Sequence, residues 1–145
     1  MRYTLLLLPL LVACAKSETP QNETAAAPGP MALTDADFAG TWVGTSMPEG
    51  SDSVVARFTE ICGNGTCKGV LEGMPDTIVS TYTLSGDSAM GSAGPYDNPV
   101  VGTSVLESWT VHLRDGKVVG TGMVRLATNP DSVLLRYHLE GSRMQ

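Results

Sequence analysis

The sequence predicts an all-β fold: a single small antiparallel up-and-down β-barrel of about eight strands, with a two-layer β-sandwich as the alternative. Three observations lead there. Charged residues are only 17% of the chain, against about a quarter in an average domain, while β-branched Thr and Val are abundant. From Ala39 onward, short runs with apolar–polar alternation are separated by Gly, Pro, Asn and Asp clusters. No segment has helical periodicity long enough to cover an open sheet, so the strands are expected to close on themselves and remove both edges.

The folded domain is expected over residues 33–145. Thr34-Asp-Ala-Asp-Phe38 reads as one capped helical turn, because Thr34 can cap and two Asp suit a helix start. The first strand is expected from Ala39 to Ser46, followed by a loop at Met47–Ser51. Ser53–Cys62 and Thr66–Gly73 form a hairpin about Gly63-Asn64-Gly65, a strong turn signal. Asp76–Leu84 turns at Ser85-Gly86-Asp87 into a short run ending near Ser92. Ala93–Pro99 is expected to be the longest polar connection. Val100–Leu113 is the longest strand candidate, and Asp115-Gly116 turns it into Lys117–Ala127. A turn at Thr128–Asp131 leads into Ser132–Glu140. Val105, Glu107, Trp109, Val111 and Leu113 share one face, with Glu107 expected near its rim. Val118, Gly120, Gly122, Val124 and Leu126 share another, as do Val133, Leu135, Tyr137 and Leu139.

Ahead of this domain lies a different kind of sequence. Met1-Arg2 gives a positive start, and the apolar run Leu5–Val12 is about half the length of a membrane-spanning helix. Leu11-Val12-Ala13-Cys14 closely resembles the lipobox of bacterial lipoproteins. That resemblance implies cleavage between Ala13 and Cys14, diacylglycerol on the Cys14 sulfur and acylation of the new amino group with a fatty acid such as palmitate. Two or three acyl chains hold stably where one is marginal. Residues 1–13 are then the signal peptide and 14–32 a lipidated tether, rich in Ala, Pro, Glu and Thr without apolar periodicity. As a flexible coil its reach is on the order of 20–25 Å. Ala15, rather than Asp, follows the Cys, which by the family's sorting rule implies outer-membrane delivery. The expected location is therefore the cell envelope, at the outer membrane, with the domain facing the periplasm.

Losing Arg2 takes the formal side-chain charge from −6 to −7. An acidic chain with scattered Lys and Arg lacks the clustered basic surface that nucleic acid requires, and it is not drawn electrostatically to anionic lipid. The bilayer contact expected here is the acylated Cys14. Of the remaining cysteines, Cys62 and Cys67 lack two further zinc ligands nearby in sequence, and outside the cytoplasm such a pair reads as a disulfide.

Phe38-Ala-Gly40-Thr-Trp42 resembles the opening signature of lipocalin-like (calycin) barrels, a helical turn followed by Gly-x-Trp. The resemblance implies that Trp42 closes the barrel base and that a basic residue of the last strand packs across it. Arg143 is the candidate, with Arg136 second. The Thr-Asp-Tyr motif of that family is absent, since the corresponding hairpin reads Arg114-Asp-Gly-Lys117.

Other constellations point less far. Asp52-Ser-Val-Val-Ala-Arg57-Phe58 and Asp131-Ser-Val-Leu-Leu-Arg136-Tyr137 match closely. They predict either an anion site beside Trp42 or, as alternation favours, two solvent-facing Arg. Gly86-Asp-Ser88 lacks the elbow and following helix of a serine nucleophile. His112 and His138 make a poor metal pair. Glu107 and Glu140 would act together only if they faced one cleft. Gly40, Gly44, Gly69, Gly73, Gly120 and Gly122 either leave room for a ligand or supply the bends a small barrel needs. Neither an enzyme nor a metal or cofactor site is expected. The expected function is a membrane-anchored envelope lipoprotein whose barrel holds a small apolar or amphipathic ligand among Trp42, Phe58, Tyr82, Trp109 and Tyr137. The alternative is a filled barrel that binds or inhibits an envelope protein through Met47–Ser51 and Ala93–Pro99.

Overall fold

The computed structural model describes residues 32–145. The expected signal peptide, the Ala13–Cys14 junction and the tether up to residue 31 lie outside the described residues. A short helix α1 (Asp35–Phe38) leads into eight strands: β1 (Gly40–Pro48), β2 (Ala56–Gly63), β3 (Thr66–Leu71), β4 (Ile78–Ser85), β5 (Ser88–Asn98), β6 (Thr103–Arg114), β7 (Lys117–Leu126) and β8 (Asn129–Arg143). Each pairs antiparallel with the next, and β8 returns to β1, giving a closed barrel in sequence order. The sandwich alternative is thereby excluded.

Local chemistry explains the elements. Thr34 and Asp37 form a reciprocal capping box at the start of α1. The tight β2–β3 and β6–β7 turns place Asn64 and Gly65, then Asp115 and Gly116, in left-handed backbone, as a two-residue hairpin turn of matching twist requires. Cys62 and Cys67 stand directly opposite in the β2–β3 register and are joined by a disulfide.

Several boundaries differ from the sequence expectation: β2 and β6 begin three residues later than expected, at Ala56 and Thr103, and β8, extended at both ends to Asn129–Arg143, is the longest strand in place of β6. Met47 and Pro48 continue β1, because β8 extends far enough to pair with them through His138 and Tyr137. Ala93–Asn98, expected as a loop, belongs to β5: pairing with β6 shifts register between Ala93 and Tyr96, so the proline falls in a bulge, where its missing N–H costs little. β8 begins at Asn129 rather than Ser132, with irregular pairing to β7 near its start. That irregularity breaks the alternation expected there, and Val133 is 40% exposed while Leu135, Tyr137 and Leu139 face inward.

The two ends of the barrel are unlike. At the closed end α1 lies across the base, with Phe38 buried against Trp42 at 5.7 Å and Tyr82 at 4.9 Å between ring centres. Asp35 ties α1 to the β2–β3 turn by accepting the Asn64 N–H at 2.9 Å, the Gly65 N–H at 3.3 Å and the Tyr82 hydroxyl. Those donors hold the Asp35 carboxyl below its usual range, Tyr82 foremost. The Tyr82 hydroxyl is pushed up to about 12 by burial and by the same carboxylate. The open end carries the longer connections at 49–55, 72–77 and 99–102.

Large side chains lie flat across the barrel wall over glycines of neighbouring strands. A methyl group at Gly122 would come within 2.1 Å of the Tyr137 ring and one at Gly91 within 2.1 Å of the Trp109 indole. These glycines therefore neither leave the interior empty nor chiefly bend the strands: they make space that aromatic rings occupy.

Candidate functional site

Alternation fills the inside of the barrel. Trp42 from β1, Phe58 from β2, Trp109 from β6 and Tyr137 from β8 surround an internal cavity of about 60 Å³, with Phe38 at its base. Tyr82, expected among them, packs instead at the closed end against Phe38 and Asp35. Trp42 is 2% exposed, and its indole N–H donates to the Phe38 carbonyl at 2.9 Å. The Arg143 guanidinium sits 4.9 Å from the Trp42 ring centre and donates to the Asp37 carbonyl, so β8 covers the base. Arg136 lies elsewhere, on an outer groove along β5–β8 with Met90, Met123 and His138. Arg57 is also exposed and pairs with Glu72 at 3.5 Å. The two related segments thus flank β1 without forming a joint anion site.

The same alternation that carries Phe58 and Cys62 inward carries Glu60 inward between them, where its side chain lies over Gly69 of β3. Glu107 reaches the cavity from β6, opposite Ala93 and Val124 at mid-barrel rather than at the rim. The two carboxylates differ in their surroundings. Glu107 accepts the Tyr96 hydroxyl on Oε2 and the Tyr137 hydroxyl on Oε1. Burial together with the Glu107 charge pushes both phenols well above their usual range, so they stay protonated donors. Asn98 donates in turn to the Tyr96 oxygen at 3.1 Å, and its own side-chain oxygen accepts the Val100 N–H at 2.9 Å, closing the network at the open end.

Glu60 has no such support. Among the described residues no hydrogen-bond donor holds its carboxylate, and burial, with the Glu107 charge second, pushes it up to about 7. It keeps some accessible surface because the cavity itself opens onto it. No Lys, Arg or His lines the cavity among the described residues. Glu140, considered as a partner for Glu107, is exposed on the outer face, so the inner pair is Glu60 with Glu107.

β3 and β4 pair over only four positions and part after Gly69 and Ile78. Leu71 and Ile78, at that parting, line the cavity.

Two other clusters resemble chemistry without the geometry for it. Glu60, Cys62 and Cys67 bring a carboxylate and two sulfurs within 4.8 Å of one another. The sulfurs are bonded to each other and offer no thiolate to a metal. Ser88, His112 and Asp87 also meet, across the Ser88–His112 register of β5 and β6. Ser88 Oγ and Asp87 Oδ1 both approach His112 Nδ1, at 3.0 and 3.3 Å. A relay needs the hydroxyl and the carboxylate on opposite ring nitrogens, so this is an exposed turn clasp. His138 lies on the outer groove, away from His112's cluster.

No protein-family model matches the chain, and neither a curated protein nor a solved structure matches it significantly.

Proposed function

We propose that this chain is a lipid-anchored envelope protein whose lipocalin-like barrel binds a small amphipathic molecule in its interior. One observation carries the ligand reading: an internal cavity walled by aromatic carbon into which a carboxylate projects without a hydrogen-bond donor among the described residues. Burying a carboxylate in this way costs stability, and a bound group that supplies the missing donor recovers it. The cavity also bounds the ligand. At about 60 Å³ it is well under the roughly 300–1,000 Å³ of drug-sized sites, so a long acyl chain does not fit and a compact molecule does. No step of bond chemistry is assigned to the barrel. Native mass spectrometry of the protein taken from its host's envelope without denaturation tests the reading. The expected result is a reproducible added mass of small size that is lost on unfolding; a bare folded chain counts against it. Cys14→Ser is expected to release the protein from membranes, and persistent membrane association would defeat the anchor.

A second reading has one observation of its own. Val54, Val55, Val100, Val133 and Leu134, all at least 37% exposed, sit on the connections and strand end of the open rim. Apolar rims of this kind suit contact with another protein. The contact would run through these residues rather than through Met47–Ser51 and Ala93–Pro99, much of which is strand.

A further inference from the structure

We propose that the barrel cavity selects a small primary ammonium ion, with Glu60 as its counter-ion and the Trp109, Phe58 and Trp42 rings as its walls. This rests on the interior-binding reading above and names the chemistry of the ligand. Five features of the cavity lead to it. Glu60 projects inward with no donor on its carboxylate among the described residues, whereas Glu107 has both oxygens engaged by phenols. Among the described residues no basic side chain lines the space, so an anion would meet two carboxylates without any compensating charge. The remaining wall is mostly aromatic and aliphatic, and aromatic faces attract organic cations. A hard metal ion needs about six or more oxygens at short range; with both Glu107 oxygens engaged by the Tyr96 and Tyr137 hydroxyls, the side chains lining the cavity among the described residues leave only the Glu60 carboxylate and the Ser46 and Ser80 hydroxyls. The volume suits an ammonium carried on a short chain.

An ammonium group places up to three N–H donors on one centre, and a charge-assisted hydrogen bond to a carboxylate is roughly twice as strong as a neutral one. Binding should depend on pH through Glu60. The titratable groups facing it are Glu107 from β6, Tyr96 from β5 and Tyr137 from β8. Both phenols remain protonated throughout the range of interest. An alkylammonium stays charged below about pH 10, so affinity should rise as Glu60 ionises near pH 7.

The test uses the purified full chain, stripped of any native ligand and labelled with nitrogen-15, and follows the indole N–H resonances of Trp42 and Trp109. The probes are n-propylammonium, 1-propanol and propionate, which share a chain and differ in charge. The expected result at pH 8 is that n-propylammonium binds at least about ten-fold more tightly than 1-propanol, with propionate weakest, a preference of about 1.4 kcal/mol. That preference should shrink at pH 5 and disappear in Glu60→Gln. Equal binding of propanol and propylammonium, or a preference unchanged in Glu60→Gln, overturns the ammonium assignment while leaving an open binding cavity. No saturable shift with any of the three probes overturns the interior-binding reading as well. Because the charge series is read first on the wild-type chain, a folding defect in the variant would not obscure the outcome.

Discussion

Replacing Glu60 with Gln should make the protein more stable at neutral and alkaline pH, by an amount the structure allows to be worked out. Burial and the Glu107 charge raise the folded-state carboxyl from 4.5 to about 7. At about 1.36 kcal/mol per pH unit of difference, roughly 2.5 units correspond to ~3 kcal/mol. The sign follows from proton counting. Between these two values the folded chain holds a proton that the unfolded chain has released, so stability is fully present below about pH 4.5 and declines as pH rises toward 7. Gln cannot ionise and should remove that decline, at the cost of fitting an amide into a site that only the cavity can hydrate. Urea unfolding of ligand-free wild type and Glu60→Gln from pH 4 to pH 8 provides the assay. The difference in unfolding free energy between the two proteins should grow by about 3 kcal/mol over that range, with the variant more stable at the alkaline end. A constant difference across pH, or a variant less stable at pH 8 than at pH 4 relative to wild type, would refute the claim that Glu60 is a poorly solvated, unpartnered carboxylate. A stabilising loss of a charged group is the signature of a residue kept for binding rather than for folding.

Other perturbations test the frame around the site. Gly122→Ala places a methyl group in the Tyr137 ring and should destabilise by about 1–3 kcal/mol; in a Tyr137→Ala background the same methyl should cost much less, as a double-mutant cycle by chemical denaturation would reveal. Arg143→Ala removes the guanidinium from the Trp42 face and from the Asp37 carbonyl, so unfolding free energy should fall by about 1–2 kcal/mol, with Trp42 fluorescence altered. Cys62→Ala with Cys67→Ala opens a short covalent loop, for which chain entropy gives about 2 kcal/mol; the barrel should still fold, shown by an unchanged far-ultraviolet spectrum and an earlier denaturation midpoint.

Much of the barrel is legible in the sequence because short-range chemistry specifies it. Asn64-Gly65 and Asp115-Gly116 fix two hairpins, Thr34 and Asp37 fix the opening helical turn, and the alternation in β6 and β7 orients Trp109, Val111, Val118 and Val124. What the sequence hides depends on register. Pro95 looks like the end of a strand until the bulge between Ala93 and Tyr96 is seen to absorb it. Gly122 looks like a gap or a bend until Tyr137 is found lying over it from the next strand. Ser88 and His112 meet only because β5 and β6 pair in one particular alignment. Glu60 is the instructive miss. Its position between Phe58 and Cys62 gives it inward parity, a signal present in the sequence. Charged residues are nonetheless rarely buried without a partner, and the partner carboxylate, Glu107, comes from a strand far along the chain.

The titration of the Glu60 carboxyl itself is the most direct measurement. Carbon-13 shifts of the glutamate side-chain carboxyls, followed against pH in ligand-free protein and assigned by comparison with Glu60→Gln, should reveal one glutamate titrating near 7. Saturation with n-propylammonium should move that titration to lower pH, since a bound cation favours the ionised form. A Glu60 that titrates in the ordinary carboxylate range in the empty barrel, and does not respond to the ammonium ion, would contradict the site described here.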